Sequence, residues 1–126
     1  MKEAYTTTAY IILGDDGILR ITMKAGAKVS LADAQNHFEV TQRMLEGKKG
    51  LVLVDARSKY TVTAEASEWG KKAAVLSRLA TAVVVNSKTS SYVSNLILHF
   101  DRPQSPTRMF TSFAEAEKWL KGFGKK

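Results

Sequence analysis

Hydrophobic positions divide this chain into short strands and amphipathic helices. An apolar run at residues 10–13 and an alternating segment at residues 18–23 flank the turn sequence Gly14-Asp15-Asp16-Gly17. Strand patterns on both sides of a glycine-bounded turn predict an antiparallel hairpin. Residues 51–54 and 82–85 are apolar at every position, which is typical of parallel strands covered on both faces.

Helical periodicity fills the segments between these strands. Ser30 is placed to cap a first helix that Gly47 ends, and Thr63 precedes a second helix. Gly70 interrupts the second helical pattern and predicts a kink or break there. The inward face predicted for this helix is formed by Trp69, Ala73, Leu76 and Ala80.

The second half of the chain continues the alternation. A third helix is predicted over residues 87–100, a short last strand over 107–110, and a last helix after the capping-box sequence that starts at Ser112. We therefore expect an α/β fold in which residues 1–126 form one domain. Its mixed sheet begins with an antiparallel hairpin and continues with parallel strands joined by right-handed crossovers, with four or five helices. Residues 51–54 and 82–85 are predicted to be neighbouring parallel strands.

Composition narrows the classes of function. The chain has 44% apolar and 25% charged residues and no cysteine, which excludes disulfides, thiolate metal sites and a cysteine nucleophile. No signal-peptide pattern or membrane-length apolar run occurs, so we expect a cytoplasmic protein. The net charge of +7 is spread along the chain without a block of five like charges. This distribution favours anionic partners in general and argues against nucleic acid.

Catalytic and metal-binding signatures are missing from the sequence. Neither a phosphate-binding glycine loop nor the context of a hydrolase serine occurs, and His37 and His99 have no ligand at metal-binding spacing. We expect no enzyme activity, no metal and no cofactor. Asp55 has two interpretations: a general base with a pKa raised by burial, or a structural carboxylate that pairs with Arg57. We favour the second.

Ligands of open α/β sheets gather at the carboxyl ends of strands. The candidate binding site is therefore the loop after residues 51–54, the start of the second helix and the neighbouring strand end. The residues predicted for this site are Asp55, Arg57, Ser58, Lys59, Tyr60, Thr61, Thr63, Trp69, Ser87 and Lys88.

Three segments carry a family resemblance: LVLVDAR, AVVVNS and NLILHFDRPQSPTRMFTSFAEAEKWL. With them, nearly the whole chain resembles the STAS domain superfamily, and within it the SpoIIAA-like group of small stand-alone bacterial proteins. The resemblance implies a non-enzymatic regulatory module that binds a protein partner.

The resemblance fails at the regulatory motif of the family. Anti-sigma-factor antagonists of the STAS class carry a phosphorylated serine at the start of the helix after the central strand. Here Thr63 lies where that motif begins, and Ala64 and Glu65 stand where the serines would be. We interpret Thr63 as a helix cap, and expect the phosphorylation switch of the family to be absent.

An alternative function is the binding of a nonpolar molecule. The fold also resembles the CRAL-TRIO lipid-transfer domains in topology. In this hypothesis Trp69 lines a cleft between the second and third helices with Leu76, Leu79 and Leu96, and basic residues contact anionic lipid. Peripheral contact with a membrane and a homodimer stay open as further forms of association. We rank the protein-binding module slightly above the nonpolar-ligand protein, because the sequence has no surplus of apolar residues.

Overall fold

A six-stranded mixed sheet forms the centre of the fold. The computed structural model describes residues 2–87 and 106–124. The strands are β1 (Lys2–Tyr5), β2 (Ala9–Leu13), β3 (Ile18–Met23), β4 (Lys28–Val29), β5 (Gly50–Asp55), β6 (Thr61–Val62), β7 (Arg78–Val84) and β8 (Thr107–Phe110). The helices are α1 (Leu31–Met44), α2 (Ala64–Ser77) and α3 (Phe113–Gly124). The main sheet has the order β1-β2-β3-β5-β7-β8, and β4 and β6 form a separate two-stranded ladder.

Strand direction follows the predicted pattern. Strands β1, β2 and β3 are antiparallel, whereas β3, β5, β7 and β8 run parallel to one another. The register pairs Leu53 with Ala82, which confirms that these two apolar runs are parallel neighbours. The hairpin turn closes with the N–H of Gly17 donating to the carbonyl of Gly14 at 3.0 Å. Gly17 has a φ of +83°, a conformation that glycine adopts without strain.

Both faces of the sheet are covered, which explains the uninterrupted apolar runs. Val52 and Val54 pack with α1 on one face. Leu53 lies on the opposite face with Leu120 of α3, and both side chains are almost fully buried. The fold therefore has two apolar layers, one on each side of the sheet.

The number of helices and strands differs from the prediction in two respects. Four or five helices were expected, and residues 2–87 and 106–124 contain three. The helix predicted over residues 87–100 lies almost entirely outside this described part. Sequence analysis also missed β1, an edge strand with three exposed residues out of four, because it has no buried face to produce an apolar pattern.

The prediction of a break at Gly70 was wrong, since α2 continues through it from Ala64 to Ser77. A glycine keeps its backbone N–H and carbonyl, so it costs about 1 kcal/mol in a helix without interrupting it. The predicted inward face of α2 was wrong at two positions: Leu76 is 66% exposed, and Ala80 lies in β7, which begins directly after the helix at Arg78. The buried positions are Ala66, Ala73 and Ser77. Small residues face inward because α2 packs mainly against α1 rather than flat on the sheet.

Candidate functional site

The carboxyl edge of the sheet is held by a pair of charged side chains. Arg57 donates from Nε to Oδ1 of Asp55 and from Nη2 to its Oδ2, both at 3.0 Å. The backbone N–H of Arg57 also donates to Oδ1, at 3.1 Å. Both carboxylate oxygens therefore accept hydrogen bonds from Arg57, so the expected Asp55–Arg57 pair is present.

Other contacts hold the Arg57 loop in place. The guanidinium lies over the ring of Phe113, 4.6 Å from its centroid. Asn86, at the end of the neighbouring strand, donates from Nδ2 to the carbonyl of Arg57 at 3.1 Å. The Asp55 carboxylate raises the pKa of Arg57. The guanidinium and backbone carbonyl of Arg57 thus make contacts within the fold, whereas Ser58 and Lys59 are exposed on the same loop.

Thr63 is the N-cap of α2, as predicted. Its Oγ1 accepts from the N–H of Ala66 at 3.2 Å, which satisfies one of the free donors at the helix start. The backbone N–H of Thr63 donates to the carbonyl of Val29 at 3.0 Å, through the β4–β6 ladder. These bonds give Thr63 a structural role.

We predict that the start of α2 is not stoichiometrically phosphorylated. Ala64 and Glu65 cannot accept a phosphate from a serine kinase, and the Thr63 oxygen already serves the helix cap. The intact mass of protein purified from its native host should match the unmodified chain. A dominant species heavier by one phosphate group, with the modification mapped to Thr61 or Thr63, would contradict this.

The predicted site residues do not all lie together. Tyr60 is buried in the core and Trp69 is half-buried; both line a cavity beneath α2. Lys88 lies outside the described residues. The remaining seven lie along the carboxyl edge or the adjoining loop: Asp55, Arg57, Ser58, Lys59, Thr61, Thr63 and Ser87.

The cavity lies between α1 and α2 and has a volume of about 180 Å³. Its apolar residues include Phe38 of α1 and Trp69 of α2, whose rings meet edge to face with centroids 5.4 Å apart. Thr81 and Thr107 contribute from β7 and β8. The residues that α2 contributes include six small ones, Ala66, Ser67, Gly70, Ala73, Ala74 and Ser77. This small-residue face leaves the space between the two helices.

The observed cavity differs from the predicted cleft. It lies between the first and second helices, whereas the sequence suggested the second and third. Leu76 and Leu79, expected to line the cleft, are 66% and 47% exposed. The third residue expected there, Leu96, lies outside the described part of the chain. The difference follows from the orientation of α2 about its own axis, which points Leu76 away from α1.

Three basic side chains border the cavity among the described residues: His37, Lys71 and Arg78. His37 has a buried Nε2 with no hydrogen-bond partner among the described residues, and burial together with the nearby charge of Arg78 lowers the pKa of His37 to about 4. Arg78 follows the last residue of α2, and burial of its guanidinium lowers the pKa of Arg78. Sequence analysis considered His37 only as a metal ligand and gave Arg78 no role. The small residues at positions 66, 70, 73 and 77 were the signal that could have indicated the cavity.

Metal-binding clusters and membrane-spanning helices are both absent from the part of the chain that the structure describes. Within residues 2–87 and 106–124, no three His, Asp or Glu side chains come together in an arrangement that could hold a metal ion. Helices long and apolar enough to cross a membrane were also not found in this described part.

Comparison with known proteins identifies the family. The model of a domain of unknown function, DUF7793, matches residues 11–124. The chain belongs to this family. No curated protein matches the sequence.

Solved structures identify the fold of this DUF7793 member. The chain is similar to an uncharacterized protein of the DUF3478 family from Shewanella loihica PV-4, which has a SpoIIAA-like fold. The TM-score is 0.60 with 15% sequence identity, over 89% of this chain and 91% of that chain. A protein with unknown function from Arthrobacter sp. FB24 is 30% identical over 88% of this chain and 97% of that chain, with a TM-score of 0.34. The Shewanella structure confirms the predicted SpoIIAA-like fold.

Proposed function

We propose that this DUF7793 protein is a non-enzymatic binding module that takes up a small, largely nonpolar molecule between α1 and α2. The observation that carries the proposal is the cavity of about 180 Å³ beside Phe38 and Trp69. An apolar cavity of about 150 Å³ accommodates benzene. The space therefore suits one ring or a short branched chain, and is below the ~300 Å³ at which pockets for drug-sized ligands begin.

Unmade packing contacts support a receptor role for this space, which is partly open to solvent. A methyl group at Gly70 meets no steric obstacle, because a Cβ built there has no heavy atom within 4 Å. A bound molecule would supply the contacts that the small residues of α2 leave unmade.

Trp69 provides the test. The chain has two tryptophans, and Trp119 packs beside Phe123 in the other apolar layer. In a Trp119→Phe protein, Trp69 is the sole tryptophan, and its fluorescence should change saturably when phenylacetate or phenylacetamide is added. The Trp69→Phe protein, which keeps Trp119, should not respond.

Gly70 offers a matched pair of control variants. Gly70→Ala adds one methyl group and should retain binding, whereas Gly70→Leu should fill the cavity and abolish it. Both variants are expected to fold, since leucine and alanine favour helix more than glycine does. A Trp69 signal that is indifferent to both probes, or that persists unchanged in Gly70→Leu, would refute the cavity as the binding site.

The second candidate function is the docking of a protein partner at the carboxyl edge, as in a STAS-type regulatory module. The supporting observation is that Lys59 is exposed on a loop in which Arg57 bonds to Asp55 and accepts a hydrogen bond from Asn86. Lys59→Glu should then abolish capture of a specific partner from the native host. Lys72→Glu on exposed α2 makes the same charge change and should leave capture intact.

A further inference from the structure

A positive charge lies inside the fold without an acidic partner among the described residues. Arg78 is half-buried, and desolvation of its guanidinium lowers the pKa of Arg78. No carboxylate in residues 2–87 and 106–124 lies within 4.0 Å of it. Its described side-chain hydrogen bond runs from Nη1 to Oγ1 of Thr81 at 3.4 Å, and Tyr60 is close enough to favour its charge. Buried charges are normally paired, because desolvating an ion costs several kcal/mol.

The other described titratable side chains that border the cavity are also not acidic. Four titratable side chains border it among the described residues, His37, Tyr60, Lys71 and Arg78, and none of them is acidic. Lys71 is partly exposed and pairs with Glu68 at 3.6 Å, so its charge already has a counter-ion. His37 adds a buried nitrogen without a hydrogen-bond partner. Among the described residues, the cavity therefore offers one cation without a carboxylate partner, beside an apolar space.

We propose that the ligand of this cavity is a small monocarboxylate with a compact nonpolar body, its carboxylate paired with Arg78 and its ring or branched chain beside Phe38 and Trp69. This inference rests on the proposed function and names its ligand class. A planar guanidinium matches a carboxylate in two parallel hydrogen bonds. One negative charge balances one guanidinium, whereas a doubly charged phosphate would leave an excess buried charge beside a neutral His37.

Three probes of equal ring size separate charge from shape: phenylacetate, phenylacetamide and phenethylamine. Titration by calorimetry should show that phenylacetate binds ~10- to 100-fold more tightly than phenylacetamide, as expected for a charge-assisted hydrogen bond. Phenethylamine, which is cationic, should not bind. In Arg78→Gln the preference for phenylacetate should disappear, while phenylacetamide should bind as before. Arg78→Lys keeps the charge and should retain part of the preference.

A second measurement uses the unaltered protein, so the test does not depend on the folding of an Arg78 variant. An anion in the cavity favours protonated His37, so saturating phenylacetate should raise the pKa of His37 in an NMR titration, whereas phenylacetamide should not. Equal binding of the two probes, both lost in Gly70→Leu, would overturn the carboxylate inference and leave the proposed function standing. If neither probe binds, both proposals fail. Binding of phenylacetate that persists in Gly70→Leu also overturns the inference.

Discussion

Replacing Leu53 with alanine is expected to lower the free energy of unfolding by about 3–4 kcal/mol. Leu53 is 1% exposed and lies on β5, between β3 and β7 in the middle of the sheet. It packs in the apolar layer that contains Leu120 of α3. Truncation to alanine removes buried apolar surface and leaves a cavity that its neighbours on the strands cannot fill, which costs about 2–5 kcal/mol in protein cores.

The matched control is Leu76→Ala, which makes the same chemical change on α2. Because Leu76 is 66% exposed, this variant should change the free energy of unfolding by no more than about 0.5 kcal/mol. Urea unfolding of the three proteins at neutral pH measures the difference. A large loss of stability in Leu76→Ala would indicate that Leu76 is buried in the core, as helical periodicity predicted. That result would contradict the observed orientation of α2.

The central strands of the sheet could be predicted because the apolar runs that indicate them lie within short stretches of sequence. Strand β8 was predicted with its observed bounds, and the apolar runs within β5 and β7 were predicted as parallel neighbours. Four successive apolar residues fit a strand that is covered on both faces, and no competing pattern was present. Residues of the sheet edge were less predictable. β1 has no buried residue, so its sequence shows no apolar alternation, and only its pairing with β2 defines it as a strand.

The orientation of α2 could not be read from its apolar pattern. The sequence offers two candidate stripes at helical spacing, one with the large residues Trp69 and Leu76 and the other with Ala66, Gly70 and Ser77. Hydrophobicity alone favours the first. Contact with α1 selects the second, and that contact is a tertiary event that the local pattern does not contain.

The candidate site was predicted only where a general rule applied. The carboxyl ends of the parallel strands indicated the Asp55–Arg57 loop, and the Thr63 cap followed from its position before a helical pattern. The cavity was missed because its polar residues come from separate elements. His37 lies on α1 and Arg78 follows α2, so no motif of fixed spacing joins them.

Acidification is expected to destabilise the protein through His37, before its carboxylates are protonated. The pKa of His37 is about 4 in the folded protein and 6.5 in its ordinary state. Between these values the unfolded chain binds a proton that the folded chain does not, so stability falls as the pH falls. The difference amounts to about 3 kcal/mol in total, of which about 2 kcal/mol should be lost between about pH 7 and about pH 5.

His37→Phe is the variant that isolates this effect. It removes the titrating ring and its unpartnered Nε2 but keeps a planar side chain beside the cavity. His99, the second histidine of the chain, is present in both proteins and cancels in the comparison. Among the carboxylates, Asp16 has a pKa of about 2 because Arg20 donates a hydrogen bond to it. The stability that its negative charge contributes is therefore lost only at more acidic pH.

Urea unfolding of both proteins at several values between about pH 7 and about pH 5 provides the measurement. The wild-type free energy of unfolding should decline with the slope expected for uptake of one proton on unfolding, and the His37→Phe protein should lack that component. Identical slopes in the two proteins would mean that His37 titrates alike in the folded and unfolded states. His37 would then be in contact with water, and the buried, basic end of the cavity on which the carboxylate proposal depends would not exist as described.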